Sequence, residues 1–266
     1  THCISSAASD VYKRQTQDYA LAGRSLPLAM VITATFATWF GSETVLGLPG
    51  RFIEGGIAGV IEEPFGSGMA LILVGAFFAG KLYKMNLLTI GSFYRHRYGK
   101  GVELACSIFI ILSYLGWVAA QVSALGLVLN LVTEGAISVT LGMVIGTLVV
   151  LLYTMYGGMW SVALTDFFQM ILIVVGLVVI AFVAGDMAGG ADKVITYANN
   201  RHLFHALPEM SVHGWLFWIS AAMTMMIGSI PQQDVFQRVM SAKSGKIAVA
   251  AVSYTHLRAH ETREDL

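Results

Sequence analysis

Residues 34–50 read ATFATWFGSETVLGLPG, and this stretch decides the fold. It lies in an apolar segment, residues 26–52, that exceeds the roughly 20 residues needed to cross a bilayer. Gly41, Ser42 and Glu43 stand midway, where a continuous span would carry Leu or Val. Backbone that unwinds at membrane depth is tolerated only where protein or a water-filled cavity satisfies its polar groups. The stretch therefore predicts a membrane helix interrupted at a binding site, with an ordinary kink as the alternative.

A second apolar segment carries a similar interruption. Residues 223–237 read MTMMIGSIPQQDVFQ, with Gly228, Ser229 and Pro231 near the middle. Proline removes a backbone donor and clashes with the preceding turn, so it breaks or kinks a helix. The two interruptions begin corresponding blocks five helices apart, which is typical of inverted repeats with a site between them.

The composition requires a bilayer. Hydrophobic residues form 56% of the 266 residues and charged residues only 12%, against about 25% in soluble domains. The mean hydropathy is +0.70. The formal net charge is zero, so no basic surface for nucleic acid is indicated. We expect an integral membrane protein whose outer faces contact lipid.

Six segments are long and apolar enough to be membrane helices, and none shows strand alternation. A seventh begins at Ile247. The polar ends, residues 1–15 and 252–266, resemble translated linker sequence or, alternatively, real polar tails, which leaves residues 16–251 as the transmembrane domain. If they are linkers, we expect the natural protein to be longer at both ends. The six segments are residues 26–52, 56–83, 102–132, 136–156, 162–188 and 212–239.

Lysine and arginine predict the orientation, because they concentrate on the cytoplasmic side of membrane proteins. If successive helices alternate in direction, nine of these residues fall on one side and three on the other. The nine-residue side should be cytoplasmic, so the first helix runs from inside to outside. The two groups are Arg24, Lys81, Lys84, Arg95, Arg97, Lys100, Arg238, Lys243 and Lys246, against Arg51, Lys193 and Arg201.

Carboxylates within the membrane are costly unless paired or hydrated, so each marks a candidate site. Glu43 lies at the first interruption, Glu63 precedes Pro64 in the second segment, and Asp166 lies near the inner end of the fifth, where capping that helix is the alternative. Glu62 is the weakest candidate, because it suits the outer interface.

Trp39 and Trp117 lie in mid-span, where they either pack or form an aromatic cage for a cationic headgroup. The sequence carries no Walker loop, HExxH, GxSxG or metal-ligand spacing, and its two cysteines, Cys3 and Cys106, are too far apart for a CxxC motif. We therefore expect no enzyme, no metal centre and no cofactor.

Four stretches carry a resemblance to the sodium:solute symporter family. They are DYALAGRSLP at residues 18–27, ATWFGSETVLG at 37–47, YGGMWSVALTDFFQ at 156–169 and FQRVMSAKS at 236–244. The resemblance implies an all-α, LeuT-type inverted-repeat helix bundle, here partial, with about six membrane helices and the start of a seventh. One upstream helix and nearly all of the last four core helices are expected to be absent, so we expect no transport by these 266 residues alone.

The same resemblance implies roles for particular residues. Ala37 and Phe40 match first-helix positions whose carbonyls bind sodium, and Asp166 matches an acid near the inner sodium exit. Thr44 and Glu63 match positions that line the solute pocket in sugar-carrying relatives. Sodium, a small organic solute and the lipid bilayer are the partners implied.

The pattern is closest to the choline-transporting branch of that family. Trp39 and Trp117 match two walls of its box for a quaternary ammonium, while Gln232 stands where that branch carries a third Trp. Choline or another quaternary amine is the first candidate, with proline or another amino acid open. We expect a multi-pass protein of the bacterial cytoplasmic membrane that carries out sodium-coupled symport by alternating access. The alternative function is a solute-sensing membrane domain of a signalling protein.

Overall fold

The computed structural model describes residues 15–208 and 210–254, and within these ranges the chain is helical without strands. A single β-bridge joins Leu26 and Ala242. The predicted tails fall almost wholly outside the described residues. Residues 252–254 are an exception, since they continue a helix in which Val252 is fully buried.

The first broken segment consists of two helical pieces on either side of a gap. Helix α1, Leu28–Trp39, ends where Phe40 adopts φ −90° and ψ 76°. The chain resumes as a π-helical turn, Glu43–Gly47, and continues as α2, Leu48–Gly59. With 12 residues, α1 is about 18 Å long and cannot cross the hydrocarbon core alone. The predicted span of residues 26–52 is therefore not one continuous helix.

The next span, residues 61–85, alternates between π-helical and α-helical turns and is apolar enough to cross a membrane. The successive pieces of the span are Ile61–Gly66 (π-helical), α3 Ser67–Leu73, Val74–Ala79 (π-helical) and α4 Gly80–Met85. A short helix, α5, follows the span at Ile90–Tyr98.

Two long apolar helices follow, α6 at Lys100–Val132 and α7 at Val139–Met187. They pack closely at glycines, because a Cβ on Gly142 would lie 3.0 Å from the Gly126 carbonyl oxygen. Most of their large apolar side chains are exposed, as expected of helices that face lipid or further protein.

The predicted fourth and fifth segments, residues 136–156 and 162–188, meet at a kink within the range labelled α7. The kink lies at Gly158, whose backbone is not helical (φ 53°, ψ −147°). Only glycine adopts this backbone conformation without strain. A Cβ at Gly158 would also lie 2.6 Å from the carbonyl oxygen of Tyr19, so the kink is packed against the start of the described chain.

The second broken segment is a bent pair of helices. Helix α9, Val212–Gly228, and α10, Gln233–Ser241, meet at 41° across the segment that contains Pro231. The short helix α8, Ala191–Asn200, precedes this pair. Helix α11, Gly245–Tyr254, follows it and includes the predicted start of a seventh segment at Ile247.

The core lies where the two broken segments meet. One face of α10 is buried: Val235 and Val239 belong to an apolar cluster with residues of α1, α3 and α11, and Phe236 and Met240 to a second one with Leu21 and Ile90. Within the described residues, three helical stretches are long and apolar enough to span a membrane, or four if the bent pair counts as one span.

Two sets of contacts join segments that the charge count assigns to the same side. The Arg24 side chain stacks 4.0 Å from the Tyr83 ring centre, and the Tyr83 hydroxyl donates to the Ala242 carbonyl at 3.0 Å. In the other set, the amide of Ile57 donates to the Leu203 carbonyl at 2.8 Å. The membrane orientation itself stays a prediction.

Candidate functional site

A cavity of about 1050 Å³ lies beside both helix interruptions and one face of α6. Its walls come from α1 and the residues after it, from residues 62–63, from the middle of α6, and from the start of α10. It lies where interrupted backbone needs polar neighbours. Nine of the predicted site residues line it: Ala37, Trp39, Phe40, Gly41, Glu43, Glu63, Trp117, Asp166 and Gln232.

Glu43 is held in this cavity by neutral donors from α6. The indole Nε1 of Trp117 donates to Glu43 Oε1 at 3.0 Å, and Gln121 Nε2 donates to Oε2 at 2.6 Å. The other end of the Gln121 amide, Oε1, accepts from the backbone N–H of Ser42 at 3.2 Å. Gly41 permits this arrangement, because a Cβ there would lie 2.9 Å from Gln121 Nε2.

Asp234, in the first turn of α10, is held in a similar way. Trp39 Nε1 donates to its Oδ2 at 3.1 Å, and the Tyr114 hydroxyl donates to its Oδ1 at 2.9 Å. The Asp234 amide in turn donates to the Tyr114 hydroxyl at 3.2 Å. Asp234 thus links both broken segments to α6.

Sequence reasoning missed Asp234, Tyr114 and Gln121. Two signals mark them: Asp234 is an acid three residues after the helix-breaking Pro231, and Tyr114, Trp117 and Gln121 share the i, i+3, i+7 spacing of one helix face. The rings of Tyr114 and Trp117 contact edge to face, 6.3 Å apart.

The remaining predicted acids differ in their partners. Glu63 accepts a hydrogen bond from the Thr44 hydroxyl at 2.8 Å. Glu62 pairs with Arg51 at 3.3 Å, and both side chains are partly exposed, as expected of an interfacial pair.

Asp166 does not cap a helix, because α7 continues on both sides of it. Its Oδ2 is buried and makes no hydrogen bond within the described chain; the same is true of Nε of Arg238, which also lines the cavity. The alternative assignment of Asp166 as an N-cap is therefore wrong, while its role toward sodium stays a prediction.

The cavity is electronegative. Five acidic side chains line it against two arginines. Within the described residues, neither Glu43 nor Asp234 has a Lys, Arg or His side chain within 4.0 Å. Uncompensated carboxylates at membrane depth are stabilised by a cation.

Five predicted residues are not among the lining residues. Thr44 and Ser42 contact the site through Glu63 and through Gln121, respectively. Gly228, Ser229 and Pro231 lie at the end of α9 and in the bend, where Ser229 is buried. Among the described residues, no group of three or more His, Cys, Asp or Glu side chains is placed to hold a metal ion.

Long apolar helices, two interrupted segments and a charged cavity between them indicate an integral membrane protein. Residues 19–257 match the model of the sodium:solute symporter family. The chain therefore belongs to the sodium:solute symporter family.

Curated relatives are named as transporters. The chain is 29% identical over 229 residues to high-affinity choline transporter 1 of Caenorhabditis elegans, covering 86% of this chain and 38% of that protein. It is 27% identical to the human high affinity choline transporter 1 over 237 residues, covering 89% and 40%. It is 29% identical to the sodium/glucose cotransporter of Vibrio parahaemolyticus over 182 residues, covering 68% and 33%. The chain spans about two fifths of the length of the choline transporters it matches.

Proposed function

We propose that the protein carries out sodium-coupled symport of a small organic solute by alternating access, and that the cavity is its solute site. The observation that supports this most is the position of the cavity between two interrupted membrane segments, where freed backbone groups and intramembrane carboxylates meet. Family membership supports the same function.

We propose a LeuT-type inverted-repeat bundle in which the described part supplies six spans. Helix α7 supports six spans over the three or four found by length alone. Its 49 residues would measure about 74 Å as one straight helix, more than twice the hydrocarbon thickness of about 30 Å. A bend at Gly158 divides α7 into two spans. The first broken segment supplies another span when α1 and α2 are taken together.

We propose that sodium binds at the end of α1. Because α1 ends at Trp39, carbonyls in its last turn lack helical donors, and these include the carbonyl of Ala37. Ala37 and Phe40 line the cavity, as does Asp166, which we assign to the inner sodium route. Oxygen ligands of this kind suit hard cations.

The solute proposed is a small organic cation, and choline, which the names of two relatives give as their solute, is the first probe. Trp39 and Trp117 provide aromatic surface beside carboxylates, an environment that favours an organic cation. Gln232 lines the cavity where the choline branch has a third Trp, so the proposed box has one polar wall. Proline remains the amino-acid alternative. We place the protein in a bacterial cytoplasmic membrane.

Uptake into proteoliposomes tests the sodium coupling. Full-length protein is reconstituted, and uptake of labelled choline, other small organic amines and proline is compared with sodium or potassium outside at equal ionic strength. We expect uptake of an amine in sodium and only the background of empty liposomes in potassium. Equal uptake in the two salts would show that transport is not coupled to sodium.

A further inference from the structure

We propose that Asp234 and Glu43 together bind the ammonium group of the solute, and that this group carries N–H donors, as in a protonated primary or secondary amine. The inference rests on the proposed function, because it assigns a substrate class to the same cavity. It adds Asp234 as a specificity-determining residue.

The carboxylates of Asp234 and Glu43 are held only by neutral donors: two indoles, a phenol, an amide and a hydroxyl. Such donors orient a carboxylate but do not neutralise its charge. Among the described residues, no Lys, Arg or His side chain forms an ion pair with either acid, and Arg238 lines the same cavity about one helical turn from Asp234. A bound cation can compensate the remaining negative charge.

The carboxylates of Asp234 and Glu43 line the same cavity. Tyr114, which donates to Asp234, and Trp117, which donates to Glu43, are three residues apart on α6, a rise of about 4.5 Å along the helix. Neighbouring positions of one helix therefore support both acids, and a solute in this cavity has both in its walls.

Each oxygen of Asp234 accepts one side-chain hydrogen bond, while a carboxylate oxygen can accept about two. Asp234 therefore keeps free acceptor positions. An N–H group can use them, whereas a quaternary ammonium has no hydrogen to donate. The indole N–H groups of Trp39 and Trp117 already donate to these acids, so a solute N–H group can occupy the free positions without competing with them.

An N-methylation series provides the test. Full-length protein in sodium-gradient proteoliposomes is given ethanolamine, its mono- and dimethyl derivatives, and choline, and binding is measured in parallel by calorimetry. We expect affinity to fall with each methyl group, with choline about tenfold or more weaker than ethanolamine, since hydrogen bonds to charged groups are lost. Equal or tighter binding of choline would overturn the inference, as would failure of every member to bind.

Variants at position 234 test the residue itself. Asp234→Asn should raise the KM for ethanolamine by about tenfold or more and leave the half-saturating sodium concentration unchanged, with Asp234→Glu partly restoring affinity. Asp192→Asn, which removes a charge on exposed α8, is the matched control. A shift in sodium dependence with an unchanged solute KM would overturn the inference. Ethanolamine binding that depends on Asp234, combined with sodium-independent uptake, would uphold it while refuting sodium coupling.

Discussion

Gln121 joins the interrupted backbone of the first segment to the acid beside it. Its amide accepts from Ser42 N–H and donates to Glu43, and a Cβ at position 41 would displace the Gln121 and Glu43 side-chain ends. The sequence pattern identifies Gly41, Ser42 and Glu43, because they interrupt an apolar run. It does not identify Gln121, since a lone polar residue in a long helix has many potential partners and this contact spans 78 residues.

Removing the Gln121 amide should weaken solute binding. We expect Gln121→Ala to raise the solute KM about tenfold, because Glu43 and the Ser42 amide each lose a partner and a hydrogen bond to a charged group contributes about 1.5–3 kcal/mol. Ser123→Ala, which removes a hydroxyl bonded to the Ala119 carbonyl within the same helix, is the control. The measurement is the concentration dependence of sodium-driven uptake, and an unchanged KM would contradict the assigned role.

Helix α7 shows what helical periodicity can and cannot predict. The length of the apolar segments correctly indicates helices on both sides of residues 157–158. The two glycines there mark the point where the first of these helices ends and the second begins. The form of that junction, a kink at one residue instead of a loop, depends on Gly158 packing against Tyr19, a contact between distant parts of the chain. The π-helical turns in residues 61–79 are likewise invisible in the pattern, because their composition is that of an ordinary apolar helix.

A side chain at Gly158 should destabilise the protein. We expect Gly158→Ala to reduce stability by about 1–3 kcal/mol, because its backbone lies in a region reserved for glycine and the added Cβ would approach the Tyr19 carbonyl. Gly176→Ala, in the same helix with open space around the Cβ position, should be neutral or slightly stabilising. Thermal unfolding in detergent checks both, and equal midpoints for the two variants would contradict the packing described for the kink.

At the scale of the whole molecule, segments that carry basic residues of the same group contact one another. The charge count assigns Arg24 and Lys243 to one side, and the structure joins their segments through a hydrogen bond from the Lys243 amide to the Leu26 carbonyl at 2.9 Å. It joins residues 57–58 to residues 203–205 elsewhere. The positions of Lys and Arg thus predicted that these segments lie on the same side, while the membrane orientation stays a prediction. The cavity could be predicted only in part, since its acids and tryptophans belong to separate helices and their pairing depends on tertiary packing.

Labelling from outside the cell tests the orientation. In a cysteine-free background, Glu134→Cys and Lys100→Cys place thiols at opposite ends of α6, both at exposed positions. We expect a membrane-impermeant maleimide to label position 134 in intact cells and position 100 only after the membrane is opened, because basic residues favour the cytoplasmic side. The reverse pattern would show that the first helix runs from outside to inside.

Accumulation against a gradient tests most directly whether the cavity is a sodium-coupled solute site. Proteoliposomes containing the full-length protein, with sodium outside and potassium inside, are given labelled ethanolamine. We predict that the internal concentration rises above the external one and then declines as the sodium gradient dissipates, and that Glu43→Gln abolishes this rise. An internal concentration that never exceeds the external one, or an equal rise in the Glu43→Gln variant, would contradict the account.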